Sequence, residues 1–250
     1  MFGIMFSGCS SIYTYYQVYK VENEGGSLMS NGIVYDDANA KIIYNFWQEN
    51  GNPGFVFHNK TEGDITIDLT KSHFIMNGFS SDYYQNRVFT NNRSNDIIGS
   101  HSVMFRGYYS LKSNLRTVQS TSSTGTNYVE KPTIVVPPKT SVNISEFNVS
   151  SSRFVHCDLP KAPSMKKVKS VKFEKSGSPF TFYNLITYTA GSTSIKAEHR
   201  FYVSEITNYP EKGYMIKKTT SDCGTKLMEP IEVFPKAEPN GFYVMYRVSN

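Results

Sequence analysis

The sequence predicts an all-β chain: an Ig-like antiparallel β-sandwich, with room for a second, smaller β subdomain. Three observations carry that expectation. Aromatic residues make up 14% of the 250 residues, mostly Tyr and Phe set among many Ser, Thr and Asn, and such side chains pack well on half-buried pleated surfaces. Apolar and polar residues alternate in short runs, the period-2 pattern of a strand with one wet face. Turn residues recur at roughly 8–15-residue intervals, as in sandwiches and not in helical bundles.

The elements follow in order. Residues 12–21 set Tyr13, Tyr15, Gln17, Tyr19 and Val21 against Thr14, Tyr16, Val18 and Lys20, and predict a strand. Gly25, Gly26 and Ser27 break it. Residues 32–35 and 41–48 come next, joined by turn chemistry at Asp36-Asp37-Ala38-Asn39. Gly51-Asn52-Pro53-Gly54 is a strong turn signal and leads into Phe55-Val56-Phe57, with both Phe on one face. After a hairpin-type loop over 59–64, Ile65, Ile67 and Leu69 alternate with Thr66, Asp68 and Thr70. Residues 72–90 hold another apolar patch and the pair Tyr83-Tyr84. The Ser/Thr/Asn-rich run 113–127 has no period and predicts a long mobile loop. A short strand over 133–136 is stopped by Pro137-Pro138, and 140–149 resumes with Val142 and Ile144 alternating. Strands over 180–189, 200–206 and 241–248 complete the set, the last with Phe242, Val244, Tyr246 and Val248 on one face. The expected organisation is one large sandwich over 10–250. The alternative is two β domains over 12–150 and 160–250, with Pro160 and Pro163 at the boundary.

The net charge of +5 does not predict a nucleic-acid partner, because it is local. Residues 161–175 carry Lys161, Lys166, Lys167, Lys169, Lys172 and Lys175 against Glu174 alone, which equals the whole excess. A lysine run of this kind can touch an anionic surface. The favoured reading is a solvated strand edge, where Lys discourages edge-to-edge pairing.

Cys9 is the most informative residue. An apolar start followed by Phe6-Ser7-Gly8-Cys9 resembles the lipobox of bacterial lipoproteins, in which the Cys becomes the lipid-bearing first residue. Residues 1–9 then read as a truncated signal ending at the lipobox. A secretory signal needs a basic start and an apolar stretch of ~7–15 residues, and neither precedes Cys9. Either residues 1–8 are the stump of a longer signal, which is the favoured reading, or Cys9 is an ordinary residue. With Cys9 lipidated, Cys157 and Cys223 remain as a candidate disulfide in an oxidising compartment. Closing that ~65-residue loop would stabilise the fold by roughly 4 kcal/mol. Two separate buried thiols are the alternative.

Longer stretches carry a further resemblance. Residues 54–77 (GFVFHNKTEGDITIDLTKSHFIMN) and 82–87 (DYYQNR) are similar to a family of predicted lipoproteins of Bacteroides-type gut bacteria. So are 134–139 (IVVPPK), 178–180 with 184–188, and 201–210 (FYVSEITNYP). The resemblance covers most of residues 12–225. It implies a Gram-negative host and an envelope location, on the outer membrane or the periplasmic side, and no activity.

Candidate chemistry is sparse. His58, His73, His101, His156 and His199 are spread out, with no metal-ligand spacing, and no metal or cofactor is expected. His156-Cys157-Asp158 holds the residue types of a thiol nucleophile, but neighbours on a strand point to opposite faces, so Cys157 reads as structural. Asp64, Asp68, Asp82, Glu146, Asp158 and Glu205 are available as carboxylates and default to the surface. Sequons at Asn59, Asn92, Asn143 and Asn148 follow from composition. Most Tyr are expected in the core, with hydroxyls reaching the rim. Tyr108 and Tyr109, beside the Ser/Thr loop, are the first candidates for an exposed binding pair.

The expectation is therefore a cell-envelope lipoprotein with a non-catalytic binding or structural module. Its partners would be the membrane, through the N-terminal lipid, and an envelope protein or glycan. The alternatives are an envelope glycan-active enzyme and a soluble sandwich without an anchor.

Overall fold

The computed structural model describes residues 11–92, 125–220, 224 and 226–249. Its strands are β1 (Ile12–Asn23), β2 (Ser27–Met29), β3 (Gly32–Asp36), β4 (Ala40–Tyr44), β5 (Phe55–Asn59), β6 (Ile65–Met76), β7 (Phe79–Asp82), β8 (Val88–Asn92), β9 (Gly125–Val129), β10 (Thr133–Val136), β11 (Ser141–Ile144), β12 (Ser170–Lys172), β13 (Thr181–Ala190), β14 (Thr193–Pro210), β15 (Ile216–Thr220), β16 (Lys226–Val233) and β17 (Gly241–Ser249). One short helix, α1 (Glu211–Tyr214), follows β14. The larger sheet runs β10-β6-β13-β14-β1-β17, with β7 also on β6 and β12 also on β14. The smaller runs β11-β5-β4-β3-β2. β8–β9 and β15–β16 are two-stranded ribbons. The chain is an all-β antiparallel sandwich. Its larger sheet has eight strands, more than the three to five of an Ig-domain sheet.

The alternation in the sequence explains how the layers meet. On β1, Tyr19 and Val21 are fully buried in the core between the sheets, while Lys20 is exposed. Tyr19 stacks on Phe242 of β17 at 4.3 Å between ring centroids. Opposite them, Ile33, Ile42, Tyr44, Phe55 and Phe57 of the smaller sheet are buried against the same core. Each such side chain taken out of water contributes roughly 1.5–3 kcal/mol. Tyr16, on the other side of β1, joins a second cluster with Tyr214 and Tyr243, flanked by Val18, Trp47 and Phe234. The larger sheet is thus covered on its outer face too, near the β1–β17 edge.

β14 reverses its phase midway. Lys20 pairs with Glu205 and Val21 with Val203, leaving Ser204 as an extra residue. Such a bulge flips which side chains face in. Phe201 and Val203 are buried on one side of it and Ile206 and Asn208 on the other, so all four serve one core from an 18-residue strand. β6 carries a similar irregularity opposite Leu185–Thr187. There Ser72 Oγ donates to the Asp68 carbonyl at 2.7 Å and accepts the Thr187 N–H at 3.0 Å.

Two glycines are required by close packing. A side chain on Gly51, at φ +68°, would meet the Phe242 ring, and one on Gly54 would meet the Ile144 carbonyl. The Gly-Asn-Pro-Gly turn therefore carries β5 directly over the core.

Three expectations need correction. A division into 12–150 and 160–250 does not follow the sheets. β1 lies between β14 and β17, and β6 pairs β13, so the larger sheet draws on both halves. Part of the expected loop 113–127 lies outside the described residues, but 125–127 belong to β9, paired with β8. The strands over 41–48 and 140–149 stop at Tyr44 and Ile144, and Phe46, just past the first, is fully buried without strand pairing.

Candidate functional site

The polar groups inside the sandwich form latches. Gln17 is fully buried. Its Nε2 donates to the Phe154 carbonyl at 2.9 Å and to Asn208 Oδ1 at 2.8 Å. Its Oε1 accepts the Phe154 N–H at 2.6 Å and the Tyr19 hydroxyl. Asn208 Nδ2 in turn donates to the Pro160 carbonyl at 2.9 Å. Two buried amides, Gln17 and Asn208, thus hold the irregular segment 154–160 against β1 and β14. Burial pushes the Tyr19 hydroxyl up to about 12, so it stays a donor.

A second latch centres on His199 of β14. Its Nδ1 lies 2.8 Å from the Tyr44 hydroxyl, and Tyr35 stacks on its ring at 3.8 Å. Burial pushes the imidazole down to about 4, against the opposing pull of Asp37. Asp37 is itself occupied: Oδ2 accepts the Tyr188 hydroxyl at 2.5 Å, and Oδ1 accepts the N–H groups of Asn39 and Ala40 at 2.7 Å. Asn59 is fully buried and donates to the carbonyls of Gly63, Val136 and Pro137. Among the described residues no buried side-chain polar atom lacks a hydrogen-bond partner.

The arrangement open to a ligand lies where the edges of the two sheets face each other. A cavity of about 230 Å3 is lined by Leu69 of β6, Tyr83, Ile134 of β10, and residues 143–146 at the end of β11. Its floor is apolar and its rim carries Asn143, Ser145 and Glu146. Arg87 braces the rim. Its Nη1 donates to Glu146 at 2.5 Å, its Nε to Glu130 at 3.2 Å, and its Nη2 also to Glu130. Glu130 is buried and accepts the N–H groups of Gln85 at 2.9 Å and Arg87 at 3.1 Å. The Arg87 hydrogen bonds hold the Glu130 carboxyl below the usual range, and the two carboxylates hold Arg87 protonated. Tyr83 closes the floor; its hydroxyl donates to Asn184 at 2.6 Å, which donates to the Pro53 carbonyl at 2.8 Å. Such a pocket suits a small group with an apolar body and a donor able to reach Glu146. Glu130 itself does not line the cavity.

A shallower groove of about 360 Å3 lies on the outer face of the larger sheet, lined by Lys20, Glu22, Lys172, Phe173, Glu174, Tyr202, Ser204 and Glu205. Its charges are mixed.

The residues singled out in the sequence distribute as follows. Cys9, Tyr108, Tyr109, His101 and Cys223 lie outside the described residues. Cys157 is exposed, which overturns its reading as a buried thiol. His156 Nδ1 accepts the Asp158 N–H at 3.2 Å within the same turn. Tyr19 and Tyr83 are buried, whereas Tyr13 is exposed. His73 pairs with Asp82 at 2.8 Å and Lys71 with Asp68 at 2.9 Å. The carboxylate that joins Glu146 is Glu130, which the sequence reading did not single out. It lies 43 residues from Arg87 in the chain, with no local motif to reveal it. Gln17 did carry a signal: a polar residue in phase with Tyr15, Tyr19 and Val21.

Among the described residues no group of three or more His, Cys, Asp or Glu is arranged to hold a metal ion. No helix among them is long and apolar enough to cross a membrane. The chain matches no family model, no curated protein and no solved structure.

Proposed function

We propose that the chain is a lipid-anchored protein of a Gram-negative cell envelope, on the outer membrane or the periplasmic side, and that its sandwich serves as a non-catalytic binding or structural module. The observation that carries the reading is the distance between Cys9 and the fold. β1 begins at Ile12 and is hydrogen-bonded on both sides, by β14 and β17. Three residues span at most ~10 Å, so a lipid on Cys9 would hold one end of the larger sheet at the bilayer. The resemblance to Bacteroides-type lipoproteins supports the same compartment. The braced cavity beside Glu146 supports the binding role, with an envelope protein or glycan as partner.

Mass spectrometry of the N-terminus of protein expressed from its native locus tests the anchor. An acylated Cys9 as first residue is the expected result. An intact Met1 in the soluble fraction would overturn it. For the binding role, Glu146→Gln should leave the fold intact and weaken capture of envelope partners by cross-linking in cells; an unchanged partner set would count against this cavity as the contact.

A further inference from the structure

We propose that the end of the sandwich where β1 begins is a second membrane contact: a basic and apolar surface that lies on anionic lipid headgroups beside the acylated Cys9. The inference rests on the anchored reading above and adds what the folded domain does at the bilayer.

The chain brings three separate segments to this end. Tyr15 pairs with Tyr246 of β17 and Pro210 of β14. The Tyr246 hydroxyl donates to the Lys161 carbonyl at 2.8 Å, which fixes the start of the lysine-rich stretch beside β1. The Tyr16 hydroxyl donates to Glu211 at 3.3 Å, which fixes α1 there as well. Met165, opening the 3-10 turn Met165–Lys167, packs on Gly213 of α1 so closely that a Cβ on Gly213 would lie 2.9 Å from its Cγ. Lys161, Lys166, Lys167 and Lys212 therefore gather beside the first residues of β1.

All four lysines are exposed, and among the described residues none is held in an ion pair. Two other lysines of the charged run behave differently. Lys172 lies in the mixed groove with Glu22, Glu174 and Glu205, and Lys175 pairs with Glu24 at 2.5 Å. Glu211, beside Lys212 in α1, accepts the Tyr16 hydroxyl. Exposed apolar side chains lie among the lysines: Ile12 at 65% exposure, Ile216 at 50% and Met165 at 46%. Lysine next to exposed aliphatic groups is the composition of a surface that sits in the headgroup layer.

Geometry permits the contact. A strand rises ~3.3 Å per residue, so Tyr16 is about 13 Å along β1 from Ile12. The tether adds at most ~10 Å. The tether is thus short enough for this end of the sandwich to rest on the headgroups of any lipid carried by Cys9, and only such direct contact brings the lysines inside the ~8 Å over which their charge acts at physiological salt.

The test uses the full chain with Cys9→Ser, so that no acyl group contributes, and vesicles of phosphatidylglycerol with phosphatidylethanolamine or of phosphatidylcholine alone. The expected result is cosedimentation with the anionic vesicles at about 0.1 M salt, none with phosphatidylcholine, and release at about 1 M, where screening shortens to roughly 3 Å. Adding Lys166→Gln, Lys167→Gln and Lys212→Gln should weaken partitioning on the order of a hundredfold. The same three glutamines at Lys41, Lys71 and Lys196, toward the opposite end of the sandwich, should leave it unchanged. Equal binding to both vesicle types, no binding to either, or equal loss from both triple variants would overturn the surface. The N-terminal mass spectrum keeps the two readings apart. Acylated Cys9 with no vesicle binding by the Cys9→Ser chain removes the surface and leaves the anchor. An unmodified terminus with salt-sensitive binding removes the anchor alone.

Discussion

The two sides of β1 have opposite chemistry. The inner side carries Gln17, Tyr19 and Val21, all fully buried, and every polar atom there is matched by a fixed partner. The outer side carries Tyr16 in a small aromatic cluster, then Val18 and the exposed Lys20. Both sides look alike in the sequence, since Tyr, Val and a polar residue occur in each phase. The difference teaches that aromatic content alone does not locate the core of this chain. The core is where polar groups are completely satisfied, and the surface available for contact is where lysine and aliphatic groups are left open.

Substitutions on the inner side should cost most. Tyr19→Ala removes a fully buried ring stacked on Phe242 and should lower stability by about 4 kcal/mol in denaturant unfolding. A loss below about 1 kcal/mol would mean that the inner side is less tightly packed than these contacts require. Gln17→Leu keeps the volume but takes the amide donor from the Phe154 carbonyl and Asn208 Oδ1 and the acceptor from the Tyr19 hydroxyl, for a loss of about 3 kcal/mol. Proteolysis within 150–160 should then accelerate, because one of the amides that held that segment is gone.

A pH series sharpens the same contrast on β14. His199 is pushed from 6.5 down to about 4 in the folded chain. The unfolded chain therefore binds the proton first as pH falls. This site's contribution is whole above pH 6.5, erodes between 6.5 and about 4, and is constant below. The loss amounts to roughly 3 kcal/mol across that window. Unfolding free energies of the native chain and His199→Gln should converge as pH drops through it; parallel curves would show that the imidazole is not the group responsible.

The outer side should be more forgiving. Tyr16→Ala deletes a ring from a small cluster and should cost about 2 kcal/mol; a loss equal to that of Tyr19→Ala would erase the distinction between the two sides. Lys166→Gln with Lys167→Gln should change stability by less than about 0.5 kcal/mol, while altering vesicle binding as described above.

Residues 133–136 and 55–57 illustrate what local pattern reveals, since their alternation or bracketing by turn residues predicts strands that the structure contains, the second running on to Asn59. β14 illustrates the opposite. Only 200–206 is conspicuous in the sequence, yet the strand spans Thr193–Pro210. The bulge at Ser204 breaks the period there, and a period broken midway reads as two short signals or none. The cavity was legible only in part. Glu146 stood among the candidate carboxylates and Tyr83 among the aromatics, but nothing local indicated that Arg87 and Glu130 would meet at the rim.

By itself the sequence determined that this chain is all-β, that its strands fall between Gly, Pro and Asn turns, and that Cys9 stands three residues before the first of them. These follow from period-2 alternation and turn chemistry, which act over a few residues. The tertiary structure alone decided which phase of β1 faces inward, how Arg87 joins carboxylates 43 and 59 residues away, and that lysines from two distant segments gather beside the start of β1. Those outcomes depend on strand order and register, which are set by pairing between parts of the chain as far apart as β1 and β17, and no short-range pattern encodes them.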